Sequence, residues 1–156
     1  MKARWIIVIV STAILVIGNL LSSLQNTWFQ NLIRPDWLTF EFLIPFIWTF
    51  IWICTTISAI IVWEKAVKRD AKLFITLYTI LAILTAAYSP VVVEFQSLIG
   101  GLIVGGLATL LVYILAIAVR KISPKASLLL VPYLLWGPVG TYLTWVLIDL
   151  NSVTAV

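Results

Sequence analysis

Five apolar stretches, each long enough to cross a membrane as a helix, constrain this chain more than any other feature. A hydrocarbon core of ~30 Å requires about 20 helical residues. Because lipid offers no partners for unpaired backbone N–H and C=O groups, stretches of this kind predict helices. They run from about Trp5 to Leu24, Phe42 to Trp63, Leu73 to Val93, Phe95 to Val119 and Ala126 to Leu150.

Composition agrees with this assignment. The chain has 156 residues, of which 63% are hydrophobic and 10% are charged, whereas soluble domains carry about 25% charged residues. The first stretch follows Lys2 and Arg4 as a signal peptide would, but it lacks a small-x-small cleavage site and predicts a retained helix. We therefore predict an all-α integral membrane protein in which residues 1–156 form one domain, a bundle of five transmembrane helices with a long first extracytoplasmic loop.

Basic residues sort to one side of the membrane if the chain crosses it five times. The opposite side holds Arg34 beside four acidic residues. Because short loops rich in Lys and Arg stay in the cytoplasm, the N-terminus is predicted to be cytoplasmic and the C-terminus extracytoplasmic, in the plasma membrane. The nine basic residues on the first side are Lys2, Arg4, Lys65, Lys68, Arg69, Lys72, Arg120, Lys121 and Lys125.

Several kinds of chemistry lack their residues in this sequence. The chain has no histidine, and Cys54 is its single cysteine. The only charged residue within a predicted span is Asp149, at the very end of the last one. Ion-coupled pumps and carriers normally place ionisable groups at membrane depth, and metal sites need clusters of ligands. We therefore expect no metal site, no tightly bound cofactor and no nucleic-acid partner, and we expect the lipid bilayer as the surroundings.

Tryptophan placement is uneven and points to the outer half of the bundle. Trp28 and Trp37 fall in the first connector, from about Gln25 to Glu41, which is long enough to predict a functional loop. Trp48 lies about six residues inside its span, or ~9 Å deep, and Trp136 lies deeper still. Two explanations stay open, a pocket for a flat apolar ligand that stacks on the indoles and simple packing between helices.

The fourth span contains four glycines in a short run. Gly101 and Gly105 have the GxxxG spacing that lets two helix backbones approach closely, and Gly100 and Gly106 lie beside them. Packing within one chain and a homodimer through these four glycines both explain the pattern.

Three segments resemble one known family. The run Trp28-Phe29-x-x-Leu32-x-Arg34-Pro35-x-Trp37 resembles the W-Y-x-x-L-x-K-P-x-W signature of the TspO/MBR family, the tryptophan-rich sensory proteins and translocator proteins. Pro45 to Trp52 is similar to its G-P-x-W-x-x-L-Y pattern, and Leu128 to Asn151 is similar to its fifth helix. The resemblance covers the whole chain.

The resemblance implies a five-helix bundle with a pocket that opens toward the first loop and binds porphyrins or other flat apolar molecules. It also implies roles in stress sensing and in light-dependent porphyrin breakdown, and the two tryptophans linked to that breakdown correspond to Trp48 and Trp136. Whether this chain is an enzyme stays open, because a transporter or a binding scaffold for porphyrins, sterols or other lipids needs no catalysis. The expected ligand-binding residues are Trp28, Phe29, Pro35, Trp37, Trp52, Thr85, Tyr88, Tyr133, Gly140, Thr141 and Thr144.

The chain departs from the family pattern at several positions. Phe29 stands in place of the signature tyrosine, and Thr39-Phe40 replaces a pair of prolines. In the third helix, the residues from Leu84 to Pro90 correspond to the family pattern L-N-W-x-W-x-P. Threonine replaces the asparagine, and alanine and tyrosine replace the two tryptophans. We therefore expect an altered pocket wall on that side.

Overall fold

A computed structural model describes residues 2–21 and 26–152 of the chain. All of the regular secondary structure in these residues is helical, and a short 3-10 turn at Glu41–Leu43 leads into the second long helix. The helices are α1 (Lys2–Leu20), α2 (Thr27–Gln30), α3 (Ile44–Lys65), α4 (Lys68–Val93), α5 (Leu98–Arg120), α6 (Pro124–Leu128) and α7 (Val131–Ser152).

The predicted spans correspond to α1, α3, α4, α5 and the pair α6–α7, each long and apolar enough to cross a membrane. The prediction of five spanning helices is therefore confirmed. The fourth span begins at Leu98 rather than near Phe95. The predicted end of the first span, at residues 22–24, lies outside the described residues.

The fifth span is divided into two helices. Its interruption has a local cause at Pro132, the second residue of α7. A proline ring conflicts with the carbonyl four residues earlier and supplies no N–H, and that carbonyl belongs to Leu128, where α6 ends. Prolines farther inside the long helices do not end them, since α4 continues past Pro90 and α7 past Pro138.

The long helices form a closed ring in the order α1, α3, α7, α5, α4 and back to α1, with α6 packed against α5 and α3. Along α5, the small and medium residues Ala108, Val112 and Leu115 are buried. Large apolar residues recur at spacings of three and four on its outer face, as expected for a helix surface in contact with lipid. These exposed residues are Ile103, Leu107, Leu110, Ile114 and Ile117.

The tightly packed core lies in the half of the bundle nearest the basic connectors. It includes Val62, Leu115 and Val119, which are fully buried. A buried polar junction also ties three helices together there, because the Ser58 hydroxyl lies 2.6 Å from the Tyr78 hydroxyl and donates to the Ala126 carbonyl at 2.6 Å. Close packing is not confined to this end, because Thr144 in the half beneath the first loop is also fully buried.

The glycines of α5 mostly serve packing within the chain. A Cβ atom at Gly101 would overlap Val92 of α4, and one at Gly105 would lie 3.5 Å from the ring of Tyr88. The GxxxG spacing thus makes room for Tyr88. Gly100 likewise faces Val91, whereas a Cβ at Gly106 would meet nothing within 4 Å. A homodimer stays a prediction, for which Gly106 is the open position.

Ala86, one of the two departures from tryptophan in α4, lies at a close helix crossing. A Cβ at Gly18 of α1 would come within 2.8 Å of both the Cβ and the carbonyl oxygen of Ala86. A much larger side chain at either position would push α1 away from α4. The small residue at position 86 is therefore matched to the glycine opposite it.

Candidate functional site

The first loop is attached to the bundle near its start and at its middle. Asn26 caps α2 by accepting a hydrogen bond from the N–H of Trp28 at 3.0 Å, and its amide donates to the carbonyl of Val93 at 3.1 Å. Asn151 at the end of α7 accepts from the N–H of Ile33 at 2.9 Å and donates to the Ile33 carbonyl at 3.1 Å. These contacts hold the loop against α4 and α7.

Arg34 organises the loop from within. Its Nε donates to both carboxylate oxygens of Glu41 at 3.0 and 3.1 Å, and its terminal nitrogens donate to the carbonyls of Phe29, Gln30 and Leu32 at 2.8–3.2 Å. The guanidinium carbon also lies 5.2 Å from the centre of the Phe29 ring. This arrangement needs several N–H donors held in one plane. A guanidinium group supplies them, whereas a lysine at this signature position would not.

Aromatic rings from the loop rest on α7. Trp37 stacks on Tyr142 with centroids 6.2 Å apart and an interplanar angle of 23°. Phe40 meets Trp136 edge to face at 6.4 Å and also lies 6.4 Å from Trp37. Loop residues Trp37 and Phe40 therefore contact α7 between Trp136 and Tyr142. Sequence reasoning noted Phe40 only as a departure from a proline, although a large aromatic residue beside a predicted lid was a usable signal.

A second aromatic contact joins α3 to α7 below the loop. Trp48 meets Tyr133 edge to face, with centroids 5.5 Å apart and an interplanar angle of 88°. The hydroxyl of the buried Tyr133 lies 2.6 Å from that of Thr85 on α4. Tyr133 of α7 thus contacts both Trp48 of α3 and Thr85 of α4. All three residues were predicted to belong to one site.

Two more of the predicted polar residues also bond each other. The Tyr88 hydroxyl lies 2.6 Å from that of Thr144, which is fully buried and donates to the Gly140 carbonyl at 2.9 Å. Thr85, Tyr88, Tyr133 and Thr144 were all expected to contact a ligand. Their hydroxyls form two internal pairs, which hold α4 against α7.

Three other polar groups are buried and have no hydrogen-bond partner among the described residues. They are the indole N–H groups of Trp52 and Trp136 and the hydroxyl of Thr55. Trp48, Trp52 and Thr55 are spaced four and three residues apart and so share one face of α3. Thr55 was not predicted from the sequence, although its position one turn beyond two tryptophans was the signal that could have found it.

Gly140 borders open space on the side of α7 that carries its buried residues. It lies one turn beyond Trp136 and one turn before Thr144 on the inward face of α7, and a Cβ built there would meet nothing within 4 Å. Glycine at this position therefore keeps room beside Trp136.

The remaining predicted residues lie in other places. Trp28 lines a groove of about 430 Å³ together with Gln96 and Asn151. Thr141 lines an apolar groove of about 590 Å³ between α5 and α7, where it pairs with Thr109 at 3.3 Å. Pro35 accepts a hydrogen bond from the N–H of Leu38 at 3.0 Å and so forms a turn of the loop. The predicted set is thus divided between an interior cluster and two surface grooves.

Comparison with known proteins agrees with this architecture. The model of the TspO/MBR family matches residues 6–149. The chain belongs to the TspO/MBR family.

Relatives from three bacteria support the TspO/MBR assignment. The chain is 30% identical to the uncharacterized membrane protein YtaB of Bacillus subtilis over 92% of each chain. It is 29% identical to the tryptophan-rich protein TspO of Chlorobaculum tepidum over 80% of this chain and 79% of that protein. It is 26% identical to protein CrtK of Rhodobacter capsulatus over 81% of this chain and 79% of that protein.

Proposed function

We propose that this TspO/MBR protein binds a tetrapyrrole, or another flat apolar molecule, in the half of the bundle that lies beneath the first loop. The observation that carries the proposal is the open space at Gly140. Trp136 lies one turn away on the same helix, and the Trp48–Tyr133 contact connects that helix to α3. A flat ring system that enters this space finds aromatic faces on which to stack.

The loop supplies the cover of the proposed site. Phe40 lies against Trp136, and Trp37 stacks on Tyr142 of the same helix. Arg34 holds the loop backbone in its folded form. Closure of these aromatic side chains over a bound macrocycle would bury further apolar surface. Each Å² removed from water contributes about 25 cal/mol to the free energy of binding.

We extend the proposal to light-dependent degradation of a bound porphyrin. In this proposal Trp48 and Trp136 stack on the macrocycle, and the excited macrocycle takes one electron from an indole. Dissolved dioxygen, the oxidant, adds to the reduced macrocycle, and the adduct returns the electron to the indole radical and opens the ring with both oxygen atoms incorporated. Indoles suit such a role because they combine a large π face with a position in the apolar interior, away from bulk water. A scaffold that only binds the ligand, or that carries it across the membrane, would leave the porphyrin chemically unchanged under light.

The orientation is also part of the proposal, with the N-terminus in the cytoplasm and the first loop on the extracytoplasmic side of the plasma membrane. The distribution of basic residues supports it. Lys65 and Lys68 flank the connection between α3 and α4, and Arg120 and Lys121 flank that between α5 and α6, as expected for short cytoplasmic connections.

Titration of the purified protein with protoporphyrin IX, in the dark and under illumination, tests the function. We expect quenching of both protein and porphyrin fluorescence on binding, and loss of the porphyrin absorption band only under light. Trp48→Phe combined with Trp136→Phe should slow the photochemical loss at least tenfold, whereas Trp63→Phe, at the basic end of α3, serves as the control. Unchanged affinity and photochemistry in the double variant would exclude the assigned roles.

A further inference from the structure

We infer that the site selects its ligand through a neutral hydrogen-bond acceptor, such as a carbonyl oxygen, bound by Trp52 and Thr55 of α3. This inference rests on the proposed function and adds the chemical class of group that the deep end of the pocket takes. It starts from the buried indole N–H of Trp52 and the buried hydroxyl of Thr55, which have no partner in the part of the chain that the structure describes.

Unpaired donors are exceptional in this part of the bundle. The neighbouring hydroxyls are satisfied, since Thr85 pairs with Tyr133 and Tyr88 with Thr144, each at 2.6 Å. Buried donors that lack a partner lose their bonds to water without compensation, and a native protein keeps few of them. Buried donors left unpaired are therefore suited to a ligand.

Trp52 and Thr55 lie on the inward face of α3. On one side of this face, Thr56 donates to the Ser11 hydroxyl of α1 at 3.3 Å. On the other side, Ser58 donates to the Ala126 carbonyl of α6. At about 100° per residue, Trp52 and Thr55 fall between these two contacts, together with Trp48.

The chemistry of the donors defines the partner atom. An indole N–H only donates, and the Thr55 hydroxyl can donate while it accepts from another group. The side chains of Trp52 and Thr55 lie one turn apart on α3. They can therefore donate hydrogen bonds to the two lone pairs of one oxygen atom or to two neighbouring acceptors. The complementary ligand group is thus an acceptor.

A neutral acceptor fits better than a carboxylate. Burying a carboxylate away from water requires a cation beside it, and the cation of the first loop, Arg34, is already bound to Glu41. Carboxylates of a tetrapyrrole would therefore stay near the loop, and an uncharged carbonyl would reach Trp52 and Thr55.

Two porphyrins that differ in one group test the inference with the full chain in lipid nanodiscs. Etioporphyrin carries no oxygen, and its mono-acetyl analogue replaces one ethyl group with an acetyl group of similar size. We expect the wild-type protein to bind the acetyl analogue about tenfold more tightly, as one or two buried hydrogen bonds would give. In the Trp52→Phe/Thr55→Val variant, the ratio of the two affinities should fall to about one.

Control variants separate this subsite from general effects on folding. Thr49→Val, on the exposed part of α3, and Trp63→Phe should retain the tenfold preference. A helical circular-dichroism spectrum and cooperative thermal unfolding report that the Trp52→Phe/Thr55→Val variant is folded. Equal binding of both porphyrins by the wild-type protein would overturn the inference and leave the proposed function intact. An unchanged preference in the Trp52/Thr55 variant would also overturn it, and binding of neither porphyrin would overturn both proposals.

Discussion

The paired hydroxyls in the bundle interior make single substitutions informative. Thr144 is fully buried, and its hydroxyl both lies 2.6 Å from that of Tyr88 and donates to Gly140 at 2.9 Å. The Tyr88 ring in turn fills the space above Gly105. Loss of one hydroxyl therefore leaves the other in an apolar interior, where an unsatisfied group destabilises the fold.

Thr144→Val should destabilise the protein by about 1–3 kcal/mol, because it keeps the shape of the side chain and leaves the Tyr88 hydroxyl unpaired. Tyr88→Phe should have a smaller effect, since Thr144 retains its bond to the Gly140 carbonyl. Unfolding of both variants in mixed detergent micelles measures the difference. A Tyr88→Phe variant less stable than Thr144→Val would contradict the assigned roles of the two hydroxyls.

Gly140→Leu should fill the open interior space and weaken protoporphyrin binding at least tenfold. Thermal stability should be unchanged or slightly raised, because Leu has a helix propensity about 1 kcal/mol better than Gly. Gly106→Leu is the matched control, since a Cβ at Gly106 also meets nothing within 4 Å but lies in the groove between α5 and α7. If the two variants weakened binding equally, the ligand would not occupy the space beside Trp136.

The first loop behaves as one unit with the outer end of α7. Asn151 makes both a donor and an acceptor bond to Ile33, and Trp37 stacks on Tyr142 of the same helix. Movement of the loop away from α7 must break these contacts.

Asn151→Ala should increase hydrogen–deuterium exchange at the Ile33 amide and raise the porphyrin dissociation rate several-fold, because it removes both bonds to the Ile33 backbone. Ser152→Ala is a suitable control, because the Ser152 hydroxyl bonds only locally, to the carbonyl of Asp149 at 3.0 Å. Exchange at Ile33 can be followed by mass spectrometry in nanodiscs. Unaltered exchange at Ile33 would show that Asn151 does not hold the loop.

Across the bundle, the exposed surface of the long helices is dominated by large apolar side chains, and the described charged residues lie at or near the helix ends. This distribution requires lipid around the protein, because exposure of so much apolar surface to water is energetically unfavourable. The two ends also differ in charge, because the connection from α3 to α4 is basic and the first loop pairs Arg34 with Glu41.

Cysteine accessibility tests the proposed orientation. Asp36→Cys in the first loop should react with a membrane-impermeant maleimide in intact cells, and Lys68→Cys at the start of α4 should react only after permeabilisation. Both positions are exposed, whereas the native Cys54 is buried and provides a low background. The reverse pattern of labelling would invert the topology.

Hydropathy along the sequence determined the number of spanning helices and their approximate limits, and the motifs pointed to the family. These properties are local, because a run of about 20 apolar residues has few alternatives to a membrane helix. The sequence also predicted a close glycine contact in the fourth span, and its motifs predicted the loop containing Arg34 and Trp37. None of these predictions depends on knowing how one helix is rotated relative to another.

Only the tertiary structure decided which side chains meet. Successive residues are rotated by about 100° around a helix. Which side chains meet across the bundle therefore depends on how the helices are rotated and packed against each other, and one amino-acid sequence does not specify this directly. Packing therefore pairs Thr85 with Tyr133 and Tyr88 with Thr144 and aligns Gly101 and Gly105 with α4. It leaves Trp52, Thr55 and Trp136 as the unpaired interior donors within residues 2–21 and 26–152.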